Sequence, residues 1–168
     1  ADWPLIEKIA LTKKPVIFST AGSDLEAIDA MVSFFRNRSI EASLMHCVGL
    51  YPTPPSELNI GQIRVFRERY PDIRVGYSTH EDPSHQQTGA LAFALGASIF
   101  EKHVGLPNDE YINNAYSATP EQLSVWLEKF SQAVGMIGNF ETKKKNIEAE
   151  VVSLKDLQRG AFVRRPMK

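Results

Sequence analysis

The chain has 168 residues, of which 43 % are hydrophobic and 23 % charged. A chain of that size can bury about 70 % of the surface its unfolded form exposes, and the composition excludes intrinsic disorder. Nineteen basic against twenty acidic side chains give a net charge of −1, without the basic excess a nucleic-acid partner needs to neutralise phosphates. No apolar run approaches the ~20 residues of a membrane span and no signal-peptide pattern opens the chain, so a cytoplasmic protein is expected. The single cysteine, Cys47, rules out an internal disulfide and any zinc site built on paired cysteines.

Strand-like and helix-like segments alternate along the chain. After a helix over Pro4–Thr12, Lys14–Thr20 reads as a short buried strand ending in the turn Ala21-Gly22-Ser23. Helical spacing over Asp24–Arg38 places Leu25, Ile28, Met31, Val32 and Phe35 on one face. A second strand, Ala42–Val48, leads into the turn-rich Tyr51-Pro52-Thr53-Pro54-Pro55, and Leu58–Tyr70 is predicted helical with Ile60, Ile63, Phe66 and Tyr70 as its apolar stripe. Arg74–Ser78 makes a third strand, Thr88–Leu95 a helix, Ser98–His103 a fourth strand, and Gln122–Ile137 a last amphipathic helix.

Strand starts recur about every 25–30 residues, the span of one βαβ unit. That pattern predicts an α/β fold with a parallel sheet: an open doubly wound sheet, or part of a (β/α)8 TIM barrel. A complete barrel takes ~250 residues, so the barrel reading expects a missing half. Residues 1–138 are expected to form the four β/α units and residues 139–168 a linker. Within that tail, Val151–Leu154 and Gly160–Val163 read as short strands.

Sites in such folds lie at the carboxyl ends of the strands. Those ends carry Ser19-Thr20, Cys47 with Tyr51, Ser78-Thr79-His80 and Glu101-Lys102-His103. Side-chain alternation puts Ser78 with His80, and Glu101 with His103, on one face of neighbouring strands about 4.8 Å apart. Two imidazoles so placed can share one cation with open coordination positions, or each can hydrogen-bond a loop carbonyl. Glu101 is then a general acid/base, a carboxylate orienting His103, or a partner of a basic side chain. The same parity sends Lys102 to the other face, its stem along apolar surface and its amine in solvent. His46 is expected to be a packed structural histidine, His85 a solvent-exposed one, and Cys47 a packing residue. The residues Ser19 to Ser23 at a helix start suit either an anion or an ordinary N-cap.

Several segments together resemble the N-acetylneuraminate (sialic acid) synthase family. Lys14–Thr20 is similar to its KPVILSTG strand, His46–Pro54 to its LHC and YPTP segment, Gly76–His80 to G-[LY]-S-D-H, and Gly96–His103 to GA-x-[IV]-[IF]-EKH. Order and spacing agree over residues 1 to 138, and Trp3-Pro4-Leu5 is similar to the segment after the family's fourth strand. The resemblance implies that this chain supplies strands five to eight of the barrel. It implies condensation of phosphoenolpyruvate with the open-chain aldehyde of an N-acyl amino sugar, assisted by Mn2+ or Mg2+, with phosphate release. It places His80 and His103 on the metal and in the catalytic machinery with Glu101, Ser19 and Ser78 against phosphoenolpyruvate, and Tyr51 and Glu101 on the sugar side. A homodimer is the expected assembly, and the tail resembles the linker to a small antifreeze-like domain.

Departures from the pattern cluster near the acceptor. Thr79 stands where the family has Asp, Gly49 where it has Asn, Val104-Gly105 where it has Phe-Thr, and Asn113 in place of a sugar-side carboxylate. They point to a divergent subgroup with its own acceptor, the spore-coat polysaccharide branch being one candidate. Two other readings stay open: a metal-assisted hydrolase or isomerase, and an inactive half-barrel that pairs its sheet edges with another copy. These residues alone are expected to be inactive, because the family's lysines that grip phosphate and carboxylate lie on the missing strands.

Overall fold

The computed structural model describes residues 2–108, 110–138, 147–155 and 157–160. They fall into two compact units, residues 1–136 and 137–168. In chain order the elements are α1 (Trp3–Leu11), β1 (Val16–Ser19), α2 (Leu25–Arg36), β2 (Ala42–His46), a 3-10 turn (Pro55–Glu57), α3 (Gln62–Arg69), β3 (Arg74–Ser78), α4 (Thr88–Ala94), β4 (Ile99–Glu101), α5 (Pro120–Ile137) and α6 (Ile147–Lys155).

The four strands form one parallel sheet in the order β1-β2-β3-β4. A doubly wound sheet reverses its strand order at a switch point, and no reversal occurs here. The described residues are four successive β/α units laid side by side. Register pairs Phe18 with Leu44, Met45 with Gly76, and Ser78 with Glu101.

Alternation divides the sheet into two faces. Phe18, Leu44, Val75, Tyr77 and Phe100 pack against Ile28, Val32, Ile63, Phe66 and Ala92 of α2, α3 and α4. The opposite face carries Ile17, Ser19, Met45, Gly76, Ser78 and Glu101, and Ile17 is 59 % exposed there. A Cβ at Gly76 would collide with the Met45 side chain and stand 2.8 Å from the Ile99 carbonyl oxygen. Glycine at that position therefore lets Met45 lie across β3.

Helix ends follow cap chemistry. Asp2 accepts from the Leu5 amide at 3.2 Å and Asp24 from the Ala27 amide at 2.8 Å. The Asp24 carboxylate thus caps the positive N-terminus of α2, so the ordinary N-cap role falls to Asp24. Helix α3 begins at Gln62, later than its apolar spacing predicts, because Asn59 takes a left-handed conformation with φ 47°. Its far end is tied to α2: Arg69 and the Tyr70 hydroxyl, the latter at 2.6 Å, hold Asp29 and lower its pKa to about 2.

The predicted tail strand at Val151–Leu154 is a correction. Those residues lie in α6, where Glu148 and Glu150 in the first turn and Lys155 in the last complement the helix dipole. The good helix formers around Val151 and Val152 outweigh their β preference. Of the second predicted tail strand, Ala161–Val163 lie outside the described residues. Among the described residues no helix is long and apolar enough to cross a membrane.

His46 is the packed histidine its position predicts, 4 % exposed, with Nε2–H donating to the Leu58 carbonyl at 2.8 Å. Burial lowers its pKa below 6.5 despite that bond. The unfolded chain therefore takes up this proton more readily than the folded one. The stability it contributes is full above the unfolded pKa and is lost as pH falls toward the folded value. The melting temperature should fall between about pH 7 and pH 5, and His46→Gln should flatten that slope in a scan at fixed ionic strength.

Candidate active site

The site is built from the loops that leave β2, β3 and β4. The loop after β2 folds back because the Thr53 amide donates to the His80 carbonyl at 2.8 Å and the Thr53 hydroxyl to the Leu50 carbonyl at 2.8 Å. The Tyr51–Pro52 peptide is cis. Tyr51 is 60 % exposed, with its ring 4.3 Å from that of His80, centroid to centroid.

His80 is 7 % exposed, and its Nδ1 lies 3.2 Å from the Val48 carbonyl oxygen. A carbonyl only accepts, so Nδ1 carries the proton and the Nε2 lone pair is left for a ligand. His103 follows β4, is exposed, and its ring centroid is 5.0 Å from that of His80. Two imidazoles bound to one ion at about 2.1 Å, roughly 100° apart, would have centroids about 5 Å apart. The observed separation matches that geometry, and the His80 bond to Val48 is of the kind by which metal-binding histidines fix their tautomer. Among the described residues no group of three or more His, Cys, Asp or Glu side chains is arranged to hold a metal; the candidate donors these residues offer are the two histidines.

Ser78 and Glu101 sit opposite each other in register, and the Ser78 hydroxyl donates to Glu101 Oε1 at 3.0 Å. Ser78 is buried and Glu101 exposed, so the serine aims the carboxylate out of the open sheet face. Ser19 is exposed at the end of β1, its hydroxyl accepting from the Ala21 amide at 3.1 Å. Asn113 spends an amide N–H on the Gly105 carbonyl at 3.2 Å, two residues beyond His103. The structure thus brings His80, His103 and Tyr51 into ring contact and joins Ser78 to Glu101. Ser19 and Asn113 make their bonds to neighbouring loop backbone instead.

Two residues near the site, Tyr116 and Glu81, escaped the sequence reading, and the surroundings of a third, Lys102, differ from it. The first is Tyr116. Beyond β4 the chain makes one more parallel bridge, Val104 with Ala118, closed by Ala118 N–H to the His103 carbonyl and Gly105 N–H to the Ala118 carbonyl, each 2.9 Å. That bridge lays the Tyr116 ring edge-on over His80 at 5.2 Å and His103 at 5.0 Å, and against Tyr51 at 5.6 Å. A single bridge outside any strand leaves no periodic trace in sequence.

The others are Glu81 and Lys102, and here an expectation is corrected. Lys102 does lie on the face opposite Glu101, yet its amine is not in solvent. Its Nζ pairs with Glu81 Oε1 at 2.9 Å, the two side chains being 10 % and 1 % exposed. The Thr88 hydroxyl donates to the same oxygen at 2.9 Å, and the Thr79 hydroxyl donates to Oε2. Burial works to raise the Glu81 carboxyl, but the Thr79 hydroxyl and the Lys102 ammonium outweigh it and hold it below the usual range. The carboxylate that Thr79 lacks beside His80 is therefore present on the other side of that histidine, at Glu81. His85, expected in solvent, is half-buried, its backbone amide bonded to the Asp82 carbonyl at 3.0 Å.

Fold and site together define a β/α-array protein with an imidazole pair and a serine-held carboxylate at the carboxyl ends of its strands. The NeuB family profile matches residues 1–142, and the chain belongs to that family. It superposes on a crystal structure from Chromobacterium violaceum assigned to spore coat polysaccharide biosynthesis protein E, with a TM-score of 0.88 and 48 % identity, covering 95 % of this chain and 47 % of that one. It is 35 % identical over 156 residues to the uncharacterised protein MJ1065 of Methanocaldococcus jannaschii, covering 89 % of this chain and 44 % of that protein. It is 33 % identical over 114 residues to N-acetylneuraminate-9-phosphate synthase of Drosophila melanogaster, covering 65 % of this chain and 29 % of that enzyme. The chain spans less than half the length of each of these relatives.

Proposed function

We propose that this chain is the second half of a (β/α)8 barrel whose whole protein condenses phosphoenolpyruvate with the open-chain aldehyde of an N-acyl amino sugar. The product is a 2-keto sugar acid for a surface polysaccharide, and phosphate is released. The observation that carries this reading is the His80–His103 pair, with His80 held through Nδ1 so that Nε2 is left for a ligand. Family membership supplies the reaction class.

His80 and His103 would hold Mn2+ or Mg2+, which when bound polarises the sugar aldehyde as a Lewis acid. The remaining work falls to side chains. Ser19 and Ser78 orient phosphoenolpyruvate from the open sheet face. Glu101, aimed by Ser78, accepts a hydrogen bond from a sugar hydroxyl and moves protons there. Tyr51 and Tyr116 wall the acceptor side and exclude water, and Asn113 braces the loop that carries His103. In the reaction, C3 of phosphoenolpyruvate bonds to the aldehyde carbon, whose oxygen takes a proton. Water adds at C2, and the tetrahedral centre then breaks its C2–O bond to phosphate, leaving the keto group. The groups that grip phosphate belong to the other half of the barrel, so residues 1–168 alone are inactive. Two copies of the whole protein form the active assembly.

A metal-assisted hydrolase built on the same histidines would cut phosphoenolpyruvate without a sugar. Phosphoenolpyruvate carrying 18O in the bridging position distinguishes the two. The condensation delivers the label to phosphate, only when the amino sugar is present. Label retained in pyruvate, released without sugar, would overturn the synthase reading in favour of hydrolysis at phosphorus.

A further inference from the structure

The ladder between β3 and β4 ends at Ser78 opposite Glu101. Both histidines lie beyond that point, His80 two residues past the last pair and His103 likewise. Neighbouring strands are held about 4.8 Å apart only while their backbones pair, so the sheet itself does not set the His80–His103 gap. The next tie between the two exits is the buried Glu81–Lys102 ion pair at 2.9 Å. Glu81 directly follows His80, and Lys102 directly precedes His103.

Thr79 donates to one carboxylate oxygen, and Thr88, whose hydroxyl is shared with the His85 carbonyl, to the other, which restrains rotation of the carboxylate away from the ammonium. Thr88 opens α4, which fixes the β3 exit to the helix layer. The clamp therefore spans β3 exit, α4 and β4 exit on the helix side, while the two imidazoles meet on the other side. Apolar residues of equal volume would serve stability as well or better. A buried ion pair saturated with hydrogen bonds adds direction and length, which packing alone does not.

We propose that the Glu81–Lys102 pair is a positioning device that sets the spacing of the His80 and His103 rings for one divalent cation. This inference rests on the metal reading of the two histidines, and its test separates the two. Mn2+ binding to the full-length protein is followed by the loss of the free-ion EPR signal, alongside melting temperature. Wild-type protein should bind Mn2+ and His80→Ala should not. Absence of binding in wild type, or unchanged binding in His80→Ala, overturns the metal reading and the clamp with it. The double variant Glu81→Gln/Lys102→Met removes both charges and strands neither. Its Mn2+ affinity should fall about tenfold or more, as for other outer-shell changes, with the melting temperature close to wild type. Thr79→Val, a milder change of similar volume, should weaken Mn2+ in the same direction and settles the matter if the double variant does not fold. Unchanged Mn2+ affinity in either folded variant, with binding still abolished in His80→Ala, would overturn the positioning role while leaving the metal site intact.

Discussion

Lys102→Met should cost the folded protein about 3–5 kcal/mol in chemical denaturation, because it leaves the Glu81 carboxylate buried without its counter-charge. The loss should shrink when Glu81→Gln is added, since the double variant has no stranded charge and keeps amide hydrogen bonds to Thr79 and Thr88. It should also shrink at acid pH, where an orphaned Glu81 takes up a proton. Exposed ion pairs behave differently. Arg64–Glu68, with side chains 72 % and 66 % exposed, should show about 0.5 kcal/mol or less on removal. A Lys102→Met loss of that small size would contradict the buried assignment of the pair.

The second large effect concerns the histidines. His80→Ala and His103→Ala should each weaken Mn2+ at least a hundredfold, by the loss of an imidazole donor. Acceptor-dependent turnover should fall by about a thousandfold or more, the scale of losing Lewis-acid assistance. His46→Gln provides the contrast: that ring is buried among Phe66 and Tyr77, so its loss should move stability and leave Mn2+ binding in place. Isothermal titration of the three full-length variants checks all of this. Equal Mn2+ affinity in His80→Ala and wild type would remove the metal from this site.

The alternation of strand and helix was readable because each β/α unit carries its own pattern: a short apolar run, a turn, and an amphipathic stripe such as Ile28, Val32 and Phe35. Parity along β3 and β4 also placed Ser78 with Glu101 and His80 with His103, since the two-residue period of a strand needs no long-range information. The same parity sent Lys102 to the right face and failed on its environment. Whether the far side of a strand meets water or a waiting carboxylate depends on the β3–α4 connection, and nothing local to Lys102 records that Glu81 arrives there. Tyr116 was unreadable for a related reason, reaching the histidines through one bridge between Val104 and Ala118. Helix α6 shows the opposite failure. The Val151-Val152 pair suggested a strand locally, while the charge pattern from Glu148 to Lys155 stabilises a helix. The departures at Thr79 and Asn113 were visible in sequence, but their structural consequence was not. Thr79 became a hydrogen-bond donor to Glu81, and Asn113 a brace for Gly105.

The most direct measurement is phosphate release from phosphoenolpyruvate by the full-length protein with Mn2+, across a panel of N-acyl amino sugars. The account predicts release that requires one of these sugars, requires the divalent ion, and disappears in His80→Ala and His103→Ala. Release that proceeds without any sugar, or that survives in both histidine variants, would contradict it.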